Sequence, residues 1–445
     1  MNIFEFEKKY KNILKHIGEW NYLRISIGKY LHDNRYGKTS SKKGIYKREI
    51  SIKSIFYGFT KWFKRYDYLF FSDESQRKNI NGIYYHRFFD PTVESLQEKN
   101  LLLIEKPIFG NHKYKVKCDS VASELIIILL TRLIAKLIYS FIKSPKNLEE
   151  LLKKEKINIP IKKIISNFKV EYFIYKILLK LYKPKGIFLT CYYCRLGLVK
   201  VANELGITVI EFQHGVINNN HYGYSSSLRL DKNYLPKYLL SFGDYERHIN
   251  NILIANIIPI GSFYLEYLSN NFFYNKKLKS MLLKYNIIIG ISMQDEEWER
   301  KYIFDFLYEA SSKDKNILYI LIPRKKRDIP NINTNVIVYD KLDCYNIIMH
   351  CHIHMTLYSS CAMEAPALGI PNILLNFDNI AFDYYKDILN PIHTKYITSY
   401  MEMKKAINDL ERLSKEEIKR LNSNVIKMNY CNNLRNFIKD NLLDE

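Results

Sequence analysis

Short apolar runs alternate with amphipathic stretches along much of this chain. The run YDYLFFS at 66–72 predicts a buried strand, and residues 168–182 have the spacing of an amphipathic helix. After a turn at 183–186, the run GIFLTCYY predicts a second strand. A helical stretch at 196–205 then ends at Gly206 and leads into the predicted strand ITVIEF. This order of strand, helix and strand is typical of a right-handed parallel crossover.

The same alternation continues beyond residue 237. Seven further runs predict strands, namely YLLSFG, NIIPIGS, NIIIGIS, NILYILIP, NVIVYD, CHIHMTLYS and PNILLNF, and helical spacing begins at Asp244, Glu296 and Ser359. The pattern predicts an α/β fold with two Rossmann-like, doubly wound domains that face each other across a cleft. We expect an N-terminal domain with helical additions over 1–268, a C-terminal domain with five strands over 278–400, and helices over 401–445 that pack back across the domains.

Length and composition agree with two folded domains. A chain of 445 residues is long enough for two hydrophobic cores. Hydrophobic residues make up 47% and charged residues 26% of the sequence, which excludes a disordered chain. The spacing of the seven cysteines does not indicate a disulfide framework and the N-terminus has no continuous apolar segment, so we expect a reducing, cytoplasmic location.

The charge balance favours anionic partners. Lys and Arg outnumber Asp and Glu 68 to 46, although Lys is also an ordinary solvent-facing residue. The most apolar segment spans 121–143, but its longest uncharged run, 125–131, is far shorter than the roughly 20 residues of a transmembrane helix. We expect a buried or surface-lying amphipathic helix there, with peripheral contact with an anionic inner membrane face left open.

The first candidate site follows the strand ITVIEF. Ligands of open parallel sheets bind beyond the carboxyl ends of the strands, where Gln213, His214 and Gly215 lie. Histidine titrates near neutrality and often serves as a general base, so His214 with the neighbouring Glu211 is the predicted catalytic pair. Further polar residues follow at His221, Tyr222 and Tyr224. The alternative is a histidine that only stabilises the loop by hydrogen bonding.

The second candidate site lies in TLYSSCAMEAPALGIP. Ser359 and Ser360 stand where a strand gives way to a helix, and hydroxyl groups at that point suit a phosphate. Glu364 follows one turn later, where a carboxylate can accept hydrogen bonds from a ribose diol. Serine is also a preferred residue at a helix start, which explains the two serines without a ligand. Arg324, after the strand NILYILIP, is a further candidate for phosphate binding, although a run of cations is usually just solvated.

Two other patterns suggest metal or redox chemistry. Cys191 and Cys194 form a Cys-x-x-Cys motif, but no second cysteine pair accompanies it. His350, His352 and His354 alternate and would share one face of a strand, but they have no matching carboxylate.

The runs KPKGIFLTCYY, VANELGITVIEFQHGVINNNHYGYS and YSSCAMEAPALGIPNILLN resemble bacterial glycosyltransferases of the GT-B type that build capsule, O-antigen or lipooligosaccharide. The resemblance covers roughly residues 183–380 and includes the Glu-x4-Gly-x-Pro pattern of Glu364, Gly369 and Pro371. It implies a nucleotide-sugar donor and a glycan or lipid-linked acceptor at the cytoplasmic membrane face. No cofactor, metal or nucleic acid is expected, because helix ends and cations replace a metal.

The resemblance also implies roles for individual residues. Glu364 would contact the donor ribose, and Ser359 and Ser360 its phosphate. The remaining implied positions are His214 in the cleft, Gly261 and Ser262 at the hinge on the donor side, and Gln213, Gly215, His221 and Tyr224 on the acceptor side. The paired serines are also similar to those of bacterial sialyltransferases that use CMP-sugars, but the acidic-Gly and His-Pro motifs of those enzymes are absent here.

Two alternatives to a transferase remain. The run EAPALGIP also resembles the nucleotide site of non-hydrolysing UDP-N-acetylglucosamine 2-epimerases, yet their His-Gly-Asp segment has no equivalent, since Val216 follows Gly215. The other alternative is a basic, non-enzymatic binder of nucleic acid or membranes. Against it, cations are spread over the whole sequence and no nucleic-acid-binding module is recognisable.

Overall fold

The chain divides into two units in the computed structural model. It describes residues 1–35, 51–96, 99–107, 112, 115–118, 120–272, 275–294, 296–324, 329–339 and 342–442. The first unit comprises Met1–Ser241, Ile249–Ile258 and Leu434–Glu445, and the second comprises Phe242–His248 and Pro259–Asn433.

The first unit is built on a seven-stranded sheet and a separate hairpin. Its strands are β1 Tyr68–Asp73, β2 Arg77–Ile80, β3 Ile83–His86, β4 Leu101–Lys106, β5 Val121–Ser123, β6 Gly186–Thr190, β7 Thr208–Phe212, β8 Tyr238–Ser241 and β9 Asn256–Pro259. The order in the large sheet is β5-β4-β1-β6-β7-β8-β9, with parallel pairing from β5 to β8. Strands β2 and β3 form an antiparallel hairpin around Asn81-Gly82, where both residues have the positive φ that a tight hairpin turn requires.

Helices α1 to α9 belong to this unit. They are α1 Ile3–Lys9, α2 Lys11–Leu14, α3 Trp20–Arg35, α4 Ile52–Ile55, α5 Phe89–Ser95, α6 Leu125–Ile138, α7 Lys146–Lys154, α8 Ile161–Tyr182 and α9 Leu196–Glu204. Short 3-10 helices lie at Phe59–Phe63, Glu74–Gln76, Tyr139–Phe141, Tyr192–Cys194 and Lys232–Tyr234. Among the described residues no single helix is long and apolar enough to cross a bilayer; Leu125–Phe141 and Lys146–Lys154 reach that length only together, bent by 97°.

The second unit is built on a six-stranded parallel sheet. Its strands are β10 Ile287–Met293, β11 Ile317–Pro323, β12 Val336–Val338, β13 Ile353–Thr356, β14 Asn372–Leu375 and β15 Thr394–Ile397, in the order β12-β11-β10-β13-β14-β15. The buried side chains of these strands pack against helices on the sheet surface and form a continuous core that includes Ile289, Phe306, Leu307, Met355 and Met403. Burial of apolar surface of this kind is the main stabilising contribution to such a unit.

Helices α10 to α18 complete the described chain. They are α10 Phe263–Asn270, α11 Lys276–Leu282, α12 Glu297–Lys313, α13 Cys344–Met349, α14 Cys361–Ala367, α15 Ile380–Tyr385, α16 Tyr400–Leu410, α17 Lys415–Leu421 and α18 Tyr430–Asn441. Two more 3-10 helices lie at Tyr245–His248 and Phe377–Asn379.

Several predicted elements need correction. The C-terminal sheet has six strands rather than five, because β15, with the mixed sequence TKYI, carries too few apolar residues to be recognised. The helix predicted from Asp244 is only the 3-10 helix Tyr245–His248. Strands β2, β3, β4 and β5 add to the one strand that the sequence indicates in the first 160 residues. The apolar segment 121–143 contains β5 and α6 instead of one continuous helix.

Candidate functional site

Buried polar side chains line the carboxyl edge of the seven-stranded sheet. Ser72, Glu105, Ser123, Thr190 and Glu211 stand at or near the ends of neighbouring strands and are buried. The loop 213–227 begins directly after β7 and carries Gln213, His214 and Gly215. It therefore begins where ligands of open parallel sheets bind, as the sequence predicts.

His214 combines partial exposure with a buried ring nitrogen. Its Nδ1 atom has no hydrogen-bond partner among the described residues. Burial, with a smaller contribution from the Arg87 guanidinium, lowers the pKa of His214 to about 4. The imidazole is therefore neutral at pH 7, and a neutral imidazole has one nitrogen that can accept a proton. This is the chemistry of a general base.

Tyr193 places its ring beside both histidines of the loop. The ring centroid of Tyr193 lies 6.4 Å from that of His214, and 5.7 Å from those of His221 and Tyr224. His221 accepts a hydrogen bond on Nδ1 from the Gly223 N–H at 3.1 Å, and burial lowers its pKa to about 3. No role was predicted for Tyr193, whose only signal in the sequence is its position just after β6.

Glu211 lies beneath this loop and organises it. Its Oε1 atom accepts hydrogen bonds from the Tyr192 N–H at 2.9 Å and the Tyr224 O–H at 2.7 Å. Gln213 is also buried and donates to the Gly215 carbonyl at 3.0 Å. The predicted contacts of Glu211, Gln213 and Tyr224 with a substrate stay predictions, since in this structure the three side chains are buried and hold the loop.

The raised pKa of the Glu211 carboxyl group leads us to expect a measurable pH dependence of stability. Burial raises its pKa from 4.5 to about 8, and Oε2 has no hydrogen-bond partner among the described residues. Between these two values the folded state holds a proton that the unfolded state has lost, so stability falls as pH rises. The slope from one such group is up to about 1.4 kcal/mol per pH unit. Glu211→Gln keeps the shape and removes the titration, so we expect the pH dependence of the free energy of unfolding, measured with urea between pH 5 and 8, to lose this contribution.

The matched control for this experiment is Glu309→Gln. Glu309 is exposed and pairs with Lys313 on the surface of α12, so its replacement should leave the slope unchanged. A Glu211→Gln protein with the wild-type slope would assign the proton to another group.

A buried ion pair from the N-terminal helices holds the same loop. Glu7 on α1 and Arg24 on α3 have no exposed surface, and the Arg24 Nε lies 2.9 Å from the Glu7 carboxylate. Arg24 also donates to the carbonyls of Tyr222 and Ser225, the latter at 2.8 Å. The carboxylate of Glu7 accepts a hydrogen bond from the Ser226 hydroxyl at 3.0 Å. It accepts another at 2.7 Å from the backbone N–H of the residue that follows Ser226. The sequence assigned no role to either residue.

At the carboxyl edge of the six-stranded sheet, the structure brings together Ser360 and Glu364. Glu364 lies in the first turn of α14, is only 4% exposed, and accepts a hydrogen bond from the Tyr345 hydroxyl at 2.8 Å. The Ser360 hydroxyl donates to the other carboxylate oxygen at a longer distance, 3.3 Å. Ser359 is buried, and its carbonyl accepts from the Tyr385 hydroxyl at 2.5 Å. A carboxylate can accept several hydrogen bonds at once, and these two hydroxyl contacts fix the position of the Glu364 carboxylate.

Arg324 lies at the same edge. It follows β11, is exposed, and donates at 2.9 Å to Gln294, which follows β10. These two strands pair in parallel, so both side chains are at their carboxyl ends. The rest of the basic run, 325–328, lies outside the described residues.

Gly261 and Ser262 precede α10. Gly261 has φ +93°, and a Cβ atom there would lie 2.2 Å from the Lys427 carbonyl. Close backbone packing therefore explains this glycine. Ser262 is buried. The predicted donor contacts of both residues stay predictions.

The three alternating histidines do not share a strand face, so that hypothesis is wrong. Strand β13 begins only after His352, and His350 follows the last residue of α13. His352 accepts a hydrogen bond from the backbone of β10 at 3.1 Å. His354 lies 2.8 Å from both Ser292 and Asn372. Each ring therefore has its own structural partners.

The Cys-x-x-Cys pair lies close to Tyr193. The Sγ atoms of Cys191 and Cys194 are 2.7 Å apart, and the hydrogen bond from Cys191 lowers the pKa of Cys194 to about 7. Tetrahedral zinc requires further ligands, and no other ligating group joins the pair in the part of the chain that the structure describes.

One group of ligating side chains does occur among the described residues. Glu74, Glu105 and His112 are buried, with potential ligand atoms within 4.8 Å of one another. Arg77 pairs with Glu105 at 3.0 Å, and a guanidinium in this position repels a second cation. We interpret the group as a buried ion-pair network. The expected independence from metal stays a prediction.

No protein-family model and no curated protein sequence matches this chain. Solved structures resemble it in fold. CalG4, the calicheamicin glycosyltransferase, aligns with a TM-score of 0.52 and 10% sequence identity, covering 85% of this chain and 98% of its own. A Listeria monocytogenes protein described as a UDP-N-acetylglucosamine 2-epimerase aligns with a TM-score of 0.50 and 11% identity, covering 86% and 98%. These likenesses confirm the predicted fold class, two Rossmann-like α/β domains of the GT-B type.

Proposed function

We propose that this protein is a glycosyltransferase that moves a sugar from a nucleotide-sugar donor to a hydroxyl of a surface glycan or lipid-linked acceptor. The observation that carries the proposal is His214, a neutral and partly exposed imidazole directly after a parallel strand, whose Nδ1 atom has no hydrogen-bond partner among the described residues. An acceptor hydroxyl must lose its proton during transfer, and such a ring can take it. The GT-B fold, which CalG4 shares, supports this assignment.

In this proposal, residues of the second unit bind the nucleotide-sugar donor. Glu364, oriented by Tyr345 and Ser360, would accept hydrogen bonds from the ribose hydroxyls. Ser359, Ser360 and Arg324 would contact the phosphates, where Arg324 adds positive charge. No metal or cofactor is part of this scheme.

The proposed reaction is a substitution at the anomeric carbon. The acceptor oxygen forms the new glycosidic bond while the bond between the sugar and the phosphate oxygen breaks. The proton of the acceptor hydroxyl passes to His214, and the nucleotide leaves with the electron pair of the broken bond. Groups that stabilise the phosphate charge lower the barrier in the transition state.

An epimerase is the second candidate, because the Listeria protein described as an epimerase has the same fold. The two activities differ in their products. An epimerase converts the nucleotide sugar to an isomer without an acceptor, whereas a transferase releases the nucleotide when an acceptor is added. Chromatography of nucleotide sugars incubated with and without glycan and lipid extracts separates the two outcomes.

Nucleotide binding at Glu364 is tested by thermal shift with CMP, CDP, UDP, GDP and ADP. A ligand present at about 100 times its dissociation constant adds about 2.7 kcal/mol of stability. We expect one nucleotide to raise the unfolding temperature of the wild type but not that of Glu364→Ala. Glu364→Gln, which keeps an acceptor oxygen for Tyr345, should show a reduced shift.

The control for this panel is Glu309→Ala, an exposed glutamate on α12 that should respond like the wild type. Equal shifts in wild type and Glu364→Ala would place the nucleotide elsewhere. If no nucleotide shifts the wild type, the proposal of a nucleotide-sugar enzyme loses its basis.

A further inference from the structure

More than half of the exposed large hydrophobic side chains lie on three segments of the first unit. Of 24 such residues in the described chain, 13 fall within 51–66, 125–143 and 161–183. They are Ile52, Phe56, Phe59, Phe63, Leu129, Leu130, Leu133, Leu137, Tyr139, Phe141, Phe173, Ile177 and Leu181. We call this set the exposed apolar surface.

The three segments are neighbours in the fold. Helix α6 contacts both α4 and α8, and the 3-10 helix that follows α6 contacts α8. The Tyr182 hydroxyl at the end of α8 donates to the Trp62 carbonyl in the 3-10 helix Phe59–Phe63. The side chains therefore belong to one contiguous part of the first unit.

Their spacing shows that whole helix faces are left uncovered. Leu129, Leu133 and Leu137 repeat every four residues along α6, and Phe173, Ile177 and Leu181 do so along α8. Positions four apart lie on the same face of a helix. Other residues of the same helices, such as Leu125 and Ala135 on α6 and Val170 and Leu179 on α8, are buried. Both helices thus carry one apolar face toward the core and another toward solvent.

The exposure of individual side chains is large. Phe141 is 82% exposed, Phe63 74%, Leu137 68% and Leu133 60%. Isolated exposed hydrophobic residues need no explanation, but a contiguous set of this size marks an interaction surface.

The charges around this surface have one sign. The three segments contain 13 Lys or Arg residues and a single acidic residue, Glu171. Arg132 and Lys136 stand on α6 beside the exposed leucines, and Lys64 and Lys180 stand near the ends of the other two segments; all four are exposed. Bulky apolar side chains surrounded by cations are suited to a membrane interface with anionic headgroups.

We propose that the exposed apolar surface docks the protein on an anionic lipid bilayer, with α6 and α8 lying along the membrane. The apolar side chains enter the boundary between headgroups and acyl chains, and the surrounding cations contact the phosphates. A second copy of this chain is a poorer occupant, because it would bring the two cationic sets together. None of the residues of this surface belongs to the candidate site, so the inference is independent of the nucleotide chemistry.

Vesicle flotation of the full chain tests the proposal. We expect the wild type to float with vesicles of phosphatidylcholine and phosphatidylglycerol, and weakly with phosphatidylcholine alone. Leu133→Asp/Leu137→Asp should lower binding to the anionic vesicles at least about tenfold, because exposed apolar area contributes to interfacial binding. Arg132→Gln/Lys136→Gln should weaken binding to anionic vesicles about tenfold without changing binding to neutral ones.

The matched control is Leu283→Asp/Met401→Asp in the second unit, where the two side chains are 77% and 71% exposed. This variant should float like the wild type. Nucleotide thermal shifts measured on the same proteins distinguish a lost membrane surface from a failed nucleotide site. The proposal is overturned if the wild type does not float with either vesicle or if the control variant loses as much binding. It is also overturned if light scattering shows a wild-type dimer that the Leu133→Asp/Leu137→Asp variant dissociates.

Discussion

Replacing His214 by alanine is expected to lower turnover of the nucleotide sugar by about 10²- to 10⁴-fold, the usual contribution of a general base. The KM for the donor should change little, because the proton transfer assigned to His214 occurs only in the transition state. The measurement is the initial rate of nucleotide release with acceptor extract present, at several donor concentrations. Retained nucleotide thermal shifts would show that the variant is folded.

The pH dependence adds a second readout for His214. Burial holds its pKa near 4, so the ring is in the proton-accepting form above that value. Wild-type turnover should therefore fall as pH decreases toward 4, and this loss should be absent from the residual activity of His214→Ala. The control is His16→Ala, which replaces an exposed histidine between α2 and α3. This variant should behave as wild type. A folded His214→Ala protein with full turnover would remove this residue from the mechanism.

The sequence predicts most of the strands because their signal is local. Runs such as ITVIEF and NILYILIP are mostly apolar, as expected of strands buried on both faces of a parallel sheet. Strand β5 has only three residues and β15 carries polar ones, so neither can be distinguished from a loop. The run LLLIEK of β4 is apolar but short, and its periodicity does not separate a strand from a helix.

The candidate site is predictable only where its residues follow a strand directly. His214 follows β7 after one residue and Ser360 follows β13 after one short loop, so their positions at a sheet edge follow from the pattern. The histidine alternation at 350–354 misled because α13 ends just before it and β13 begins only at Ile353, whereas a shared strand face requires all three positions to be in the strand.

Residues that act from a distance in sequence carry no such signal. Arg24 lies about 200 positions before the Tyr222 and Ser225 carbonyls that it binds, with separations of 198 and 201 residues. A lone arginine on an N-terminal helix is indistinguishable from a solvated one until the fold brings the loop to it. The sequence thus indicated the candidate residues of the loop itself, but not the distant residue Arg24 that holds the loop in place.

The buried ion pair of Glu7 and Arg24 is expected to show the largest effect on stability. Arg24→Ala is expected to lower the free energy of unfolding by about 3 to 5 kcal/mol, because it leaves the Glu7 carboxylate buried without its charged partner. Urea unfolding followed by circular dichroism measures the change. The double variant Glu7→Leu/Arg24→Met should recover part of the loss, since no unpaired charge remains. Recovery should be incomplete, because Ser226 and the carbonyl of Ser225 also lose hydrogen bonds.

Lys9→Ala provides the matched comparison, because Lys9 belongs to the same N-terminal segment and forms an exposed ion pair with Glu155 at 2.7 Å. Exposed pairs contribute little, so unfolding of this variant should match the wild type. The buried pair also anchors the loop that carries His221, so the Arg24 variants should lose turnover even at temperatures where they remain folded. An Arg24→Ala protein as stable as Lys9→Ala would mean that water reaches Glu7, and the loop would then have to be held by Glu211 and Tyr192 alone.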